Sequence, residues 1–537
     1  MRNLSRRTFI GATAAMTAVG FAGLTGCTSK GKSESSESDE NEVLVADETI
    51  ETDILVVGLG ISGIMASTAA AKGGAKVLAI DAASKMSETG GGTATAPIAF
   101  GSKEQAKANP DVPVTEQMAF QELYPMSHYQ ENGSLLREMI RCSGICIDTA
   151  VEAGMPYTFT NTTVDASAPL KNKAGCIYKV RGEDRTNIWE SMLRNAGVDI
   201  RFGLSATAAL KAEDGTLTGI QCDSGNSIVN VMAKTVILCT GGFISNPEMV
   251  SQYYAGANIV SCGRPRAKGD GVIIAQSAGA QMGKNFSTSV NEFGGSNIKA
   301  TPTTARGAKE ECNTALRLQI LGLPVFDIRG SRFMDEGILN GHAMYSAEPL
   351  IRESTYYALC DQAFIDRIKT EPYGNFIDTS EPTNVANSLA DLQLTAIEED
   401  IDSAIEEGWA AKGSTYSELA EAFGLANLEE SIEKYNAYCD AGFDEQFYKD
   451  PQYLIPMTTA PYYLIEYNPA GYLSLGGIKV NGKCQALDAD NHVVKNLYVA
   501  GTDADLWSVP YVMGGSAHGF CQASGWLAGE SAAKETL

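Results

Sequence analysis

Several common function signatures are missing from these 537 residues. The 12 cysteines are scattered. None forms CxxC, none opens a CxxCH haem site, and no histidine–cysteine group has metal-ligand spacing. No metal site is therefore expected. Cys142 and Cys146 stand four apart on one helix face, a spacing that fits two buried thiols or two cluster ligands. Positive charge is scarce as well. With 41 Lys and Arg against 65 Asp and Glu, the net charge is −24, which argues against nucleic acid and anionic lipid as partners. It suits an extracytoplasmic protein or one that docks a basic electron-transfer partner. After residue 27 no segment has the length and apolarity of a membrane helix. The full chain is 44% hydrophobic, and what remains after the signal and tether is enough for two or three domains with a large core.

The N-terminus reads as an address. In SRRTFIGATAAMTAVGFAGLTGC, residues 5–27, Arg6 and Arg7 precede an apolar run too short to span a bilayer. The pair resembles a twin-arginine signal, which carries proteins already folded around a cofactor. Leu24-Thr25-Gly26-Cys27 resembles a bacterial lipobox, with Cys27 as the lipid-anchored residue. An ordinary cleaved signal with a chance cysteine is the other reading. Residues 28–48 are mostly Ser, Glu, Asp and Lys and read as a solvated acidic tether.

The cofactor signature follows. Ile54–Val57 suits a buried parallel strand, and Gly58, Gly60 and Gly63 then open a small-residue helix in GxGxxG spacing. Lys76–Ile80 returns the chain to Asp81, at the distance from which an acid reaches a ribose hydroxyl. The glycines let backbone approach a pyrophosphate, and the helix N-terminus supplies the positive end of its dipole. A second apolar strand ends in Thr240-Gly241-Gly242. A turn places Asp270 at a helix start, a last strand delivers Gly501 and Asp503, and a Gly-Gly turn opens a C-terminal helix. N–H groups near Ser516, Ala517 and His518 are positioned to hold a flavin carbonyl.

The order GxGxxG, acid, GGG, ILxTGGF, GDG, LYxAG, GGSA resembles the FAD-dependent fumarate reductase and 3-ketosteroid dehydrogenase family, from about residue 50 onward. The resemblance implies an α/β fold with a Rossmann-like FAD domain made from both ends of the chain, 49–290 and 473–537. An α+β substrate cap of 291–472 is inserted between them. It implies FAD contacts at Gly58, Gly60, Ser62, Gly63, Asp81, Ala82, Gly92, Thr93, Ala94, Ala206, Asp270, Gly501, Asp503, Ala517 and His518. The glycine-rich run after Asp81 holds no His or Cys, so non-covalent FAD is expected.

The resemblance also exposes departures. In the fumarate and urocanate reductases an arginine acid lies eight residues after the Arg of a GxRFxxE stretch. Here that stretch is Gly330–Glu336, and eight on from Arg332 is Asn340, which cannot give up a proton and remain a stable anion. The family's clamping arginine falls on Val512, its paired histidine near Tyr472 and Leu473, and its Glu/Arg relay on Leu316 and Gln319. A site stripped of cations suits a larger, more neutral substrate. As in the ketosteroid dehydrogenases, Tyr511 and the Gly515 N–H would polarise an enone carbonyl; packing against the flavin or cap is the alternative for Tyr511. Tyr472 is a second donor, and His342 is a candidate acid or a structural histidine. Trp507 is a hydrophobic wall and Asn340 a substrate contact.

The expected activity is reduction of an activated C=C bond by hydride from flavin N5. The reverse dehydrogenation and a non-catalytic electron relay are the alternatives. With no haem site or second nucleotide domain apparent, electrons are expected from a separate membrane-linked cytochrome or flavoprotein.

Overall fold

A computed structural model of the chain describes residues 43–92, 96–108, 110, 114–160, 174–284, 286–288, 295–300, 312–341, 347–377, 389–506 and 515–537. The signal, Cys27 and most of the tether lie outside the described residues. So do Thr93, Ala94, His342, Trp507 and Tyr511.

The chain's first strand, β1 (Glu48–Val57), is apolar only in its second half, and Ile54–Val57 is the half that is buried. It pairs in parallel with β2 (Val77–Asp81), Ile54 opposite Val77 and Val57 opposite Ile80. Helix α1 (Ile61–Lys72) makes the crossover. On its other side β1 pairs in parallel with Ile228–Leu238, which ends at the Thr240–Gly242 turn. The parallel core continues with Val493–Val499 at one side and Asp199–Phe202 at the other. Two antiparallel strands, Ser205–Lys211 and Leu217–Asp223, extend the sheet along Ile228–Leu238. The α/β class and the parallel sheet are as expected, and strands from both ends of the sequence share one sheet.

The C-terminal helix, Ser516–Thr536, closes this domain. It lies on α1 at backbone distance. A Cβ at Gly525 would stand 2.0 Å from the Ser62 carbonyl oxygen, and one at Gly529 would stand 2.1 Å from that of Ala66. Four residues apart, the two glycines form one bare stripe along the helix, so no side chain separates the two backbones.

A second core draws its residues from Ala300 to Tyr467. Its antiparallel sheet runs Val325–Phe326, Tyr356–Asp361, Tyr462–Tyr467, Ala410–Gly413. Helices Ile397–Glu406, Tyr416–Phe423 and Leu428–Ala441 bring their apolar stripes to it. The acidic segment from Thr395 to Gly413 is part helix and part strand. Gly408 takes φ +80°, a left-handed conformation that stops the helix, and Ala410–Gly413 pairs with Tyr462–Ile465 as a strand.

Two short strand pairs tie the cores together. Val260–Ser261 runs parallel to Ala470–Gly471, and Ser287–Thr288 runs antiparallel to Ser474–Leu475.

Candidate functional site

The glycine turn after β1 has three differently constrained members. A Cβ at Gly58, whose φ is +96°, would lie 2.3 Å from the Cys239 carbonyl oxygen, and one at Gly63 would lie 1.8 Å from that of Gly58. Both are fixed by close packing of the protein against itself. At Gly60 the nearest atom to such a Cβ is the Gly90 Cα, 3.9 Å away. Nothing in the protein forbids a side chain there, so the reason for glycine lies in what enters the cleft.

That cleft, of about 230 Å³, is lined by Gly58, Gly60, Ser62, Asp81, Thr89, Gly90, Thr240, Gly241, Arg264, Tyr472, Leu473, Thr502, Ala517 and His518, among others. Two helix starts open into it. Helix α1 begins at Gly60 and the C-terminal helix at Gly515; neither has a capping side chain or an acid in its first turn. Their N–H groups are left for a ligand. By contrast, helices Glu116–Met126, Gly133–Glu152 and Pro247–Tyr253 are capped by Thr115, Asn132 and Asn246. The Ser516 hydroxyl, fully buried at the second of the uncapped starts, has no hydrogen-bond partner.

Asp81 stands at the end of β2 in the cleft wall. Its carboxylate accepts from Leu59 N and Ala83 N, each at 2.7 Å, so it fixes the glycine turn. An open place at Gly60, two uncapped helix starts, a carboxylate and a buried unpartnered guanidinium nitrogen on Arg264 form a donor set that fits a dinucleotide diphosphate and its ribose. The residues present therefore fit FAD.

His518 contributes more than its backbone. Its Nε2 shares a 2.9 Å hydrogen bond with the Tyr178 hydroxyl, and the Arg185 guanidinium lies 3.9 Å over the Tyr178 ring. Burial first, then the Arg185 charge, pulls the imidazole down to about 3, so it is neutral at physiological pH. Burial pushes the Cys521 thiol in the same wall up to about 12, which keeps it an inert thiol. Cys142 and Cys146 are buried free thiols, Cys146 donating to the Gln522 carbonyl at 3.4 Å. Among the described residues no group of three His, Cys, Asp or Glu is placed to hold a metal.

Several expected contacts are placed elsewhere. Asp503 is fully buried and spends its carboxylate on the Thr240–Gly242 turn, accepting from Gly242 N at 2.7 Å, Thr240 Oγ1 at 3.0 Å and Thr240 N. Burial raises its pKa against those hydrogen bonds. It holds the turn, while Thr502 beside it lines the cleft. Gly501 seats the last strand on α1, since a Cβ there would meet Ser62 Oγ at 2.4 Å. Gly515 packs against Ala96, and Gly92 against Thr186 and Gly182. Asp270 sits at a helix start and Ala206 on the antiparallel extension at Ser205–Lys211; neither they nor Ala82 is among the lining residues. Asn340, 2% exposed in the cap, donates from Nδ2 to the Phe376 carbonyl at 2.7 Å. Its amide serves the cap's own backbone instead of lining the cleft. Tyr472 is in the cleft wall, with its carbonyl packed on Gly263. Sequence reasoning missed Arg264 and Thr89; GRPRAKGDG held the signal for Arg264, two arginines just before an acidic turn in an acidic chain.

A hollow of about 800 Å³ between helices Lys103–Ala108, Glu116–Met126 and Gly133–Glu152 is larger. It has neither a glycine turn nor an uncapped long helix start.

The FAD binding domain family matches residues 53–526. The vinyl phenol reductase of Lactiplantibacillus plantarum is 26% identical over 498 residues, covering 90% of this chain and 97% of that protein. The urocanate reductase of Eggerthella lenta is 27% identical over 479 residues, covering 85% and 70%. Among solved structures, a 3-ketosteroid delta1-dehydrogenase from Sterolibacterium denitrificans matches with a TM-score of 0.65 at 16% identity, over 90% of this chain and 100% of that one. That last likeness is one of fold.

Proposed function

We propose that this chain, which belongs to the FAD binding domain family and is a flavin-dependent oxidoreductase, reduces the C=C bond of a neutral conjugated alkene such as an enone or a vinyl arene. The observation that carries the reading is Asn340. Where the resemblance calls for an arginine acid, this chain has a buried amide committed to the Phe376 carbonyl. Leu316 and Gln319, at the relay positions, are buried and uncharged. A dicarboxylate such as fumarate would meet no guanidinium clamp from these positions. The vinyl phenol reductase, a relative over nearly its whole length, is named for an alkene of the neutral kind, which supports the same choice.

FAD when bound supplies the hydride. The chain's own residues hold the substrate and manage charge. For an enone, Tyr511 and the Gly515 N–H polarise the carbonyl, on whose oxygen negative charge develops as hydride arrives. Tyr472, in the cleft wall, is a second donor, and His342 is a candidate for the proton. Residues 291–472 act as the cap that excludes water. We further propose that residues 1–27 direct export by the twin-arginine route, that Cys27 carries a lipid anchor, and that a membrane-linked cytochrome or flavoprotein delivers the electrons.

The test is anaerobic reoxidation of the dithionite-reduced protein, followed at the flavin band. The panel is fumarate, urocanate, cinnamates, vinyl phenols and enone steroids. Neutral alkenes are expected to reoxidise it and fumarate is not; fast reoxidation by fumarate overturns the reading of Asn340. Tyr511→Phe is expected to slow reoxidation by about 10²-fold, the scale of one lost oxyanion donor, with the flavin still bound.

A further inference from the structure

The segment that follows Val260–Ser261 also lines the cleft. Arg264 and Arg266 both face the cleft from it. Arg264 is half-buried. Its Nη1 donates to the Glu88 carbonyl at 2.6 Å, while its Nε is buried and has no hydrogen-bond partner. Among the described residues no carboxylate lies within ion-pair distance of it. Arg266 reaches the same Glu88 carbonyl at 3.5 Å and lies 3.8 Å from the Glu88 carboxylate.

A guanidinium taken from water without an anionic partner is costly. This one is pinned by Glu88 so that its Nε–Nη2 edge is left over, the planar edge that grips two oxygens at once. The ligand that fits the glycine turn carries a diphosphate, and it must enter a chain of net charge −24. A local cation offsets that unfavourable field.

We infer that Arg264 binds the diphosphate of FAD in the cleft it shares with Gly60, with Arg266 adding long-range attraction at the rim. The inference concerns cofactor binding and does not depend on the substrate. It gives the diphosphate a side-chain partner besides the backbone N–H groups of the glycine turn. It also ties the cofactor to the strand pair Val260–Ser261 with Ala470–Gly471, which precedes both Arg264 and Tyr472.

The experiment is FAD release from diluted holoenzyme, read as the rise of free-flavin fluorescence, for wild type, Arg264→Gln, Arg264→Lys and the exposed control Arg137→Gln, at low and high salt. Arg264→Gln is expected to release FAD about 10- to 100-fold faster, the scale of a lost charged hydrogen bond. It is also expected to lose most of the salt acceleration seen in wild type. Arg264→Lys, which keeps the charge without the fork, falls between; Arg137→Gln matches wild type. Release within twofold of wild type, or faster release with an unchanged salt dependence, overturns the inference. If Arg264→Gln is not recovered soluble, Arg264→Lys decides. Release at least threefold faster than wild type supports the diphosphate contact, and the wild-type rate overturns it.

Discussion

The two cores of this molecule solve opposite problems. The FAD domain brings backbones together: Gly58 lets the turn after β1 meet Cys239, Gly63 lets α1 meet that turn, and Gly525 and Gly529 let the C-terminal helix meet α1. The cap core buries charge. Arg332 forms a two-pronged pair with Glu336, at 2.8 and 2.7 Å, and reaches Asp444 at 2.7 Å. Lys449 lies 3.3 Å from Glu336 and donates to the Gly322 carbonyl at 2.6 Å. None of the four side chains is more than 1% exposed. Tyr435 and Phe447 lie 4.9 and 5.1 Å from the Arg332 guanidinium. Burial alone would raise the Glu336 carboxyl, but Lys449 and Arg332 hold it below its usual range. A domain that cradles a fixed cofactor is built on shape. The domain proposed to choose the substrate is pinned by a buried network of two cations and two anions.

The contrast is sharpest where one charge is removed. Glu336→Gln leaves Arg332 and Lys449 facing Asp444 alone, and loss of one partner from a buried pair costs about 3–5 kcal/mol. Thermal unfolding of the holoenzyme is expected to show the cap melting first; an unchanged melt means the network is dispensable.

A smaller effect separates the two kinds of glycine. Gly63→Ala drives a Cβ into the Gly58 carbonyl and is expected to destabilise the fold by about 1–3 kcal/mol or more. Gly60→Ala has room in the protein and should leave the melting point of the flavin-free form unchanged while lowering flavin content, measured from the ratio of flavin to protein absorbance. Equal losses of stability in both would erase the distinction.

The smallest effect is a slope. His518 is neutral when folded, with its pKa near 3, whereas the unfolded chain's histidine binds a proton below about 6.5. The unfolded state therefore binds more protons in that window. This contribution lowers stability as pH falls from about 6.5 toward 3 and is flat above it. Urea midpoints of His518→Asn between pH 7 and 5 are expected to fall less steeply than those of wild type. That range lies above the point where Glu336 and Asp444, both held low, lose their contribution.

What could be read from the sequence follows the same divide. The FAD domain is encoded locally: a strand, a GxGxxG turn and an acid within 30 residues specify β1, α1 and Asp81, and periodic apolar runs specify the sheet. The motif shows Asp503 beside the cleft, but the direction of its carboxylate is set by the Thr240–Gly242 turn far away in sequence. The ion network joins Arg332 to Asp444 across 112 positions, with no pattern to announce it. The pair Arg264 and Arg266 is visible in GRPRAKGDG, but the orphaned nitrogen that singles out Arg264 becomes visible only once its neighbours are in place.

The C-terminal helix has a consequence in time. The nucleotide cleft is walled at one side by the first strand and helix of the fold and at the other by Ala517, His518 and Cys521, and Gly525 and Gly529 clamp the two sides together. A ribosome makes the first side early and the second near residue 536. The nascent chain therefore carries an unfinished half-cleft until that helix is made, and flavin capture waits for it.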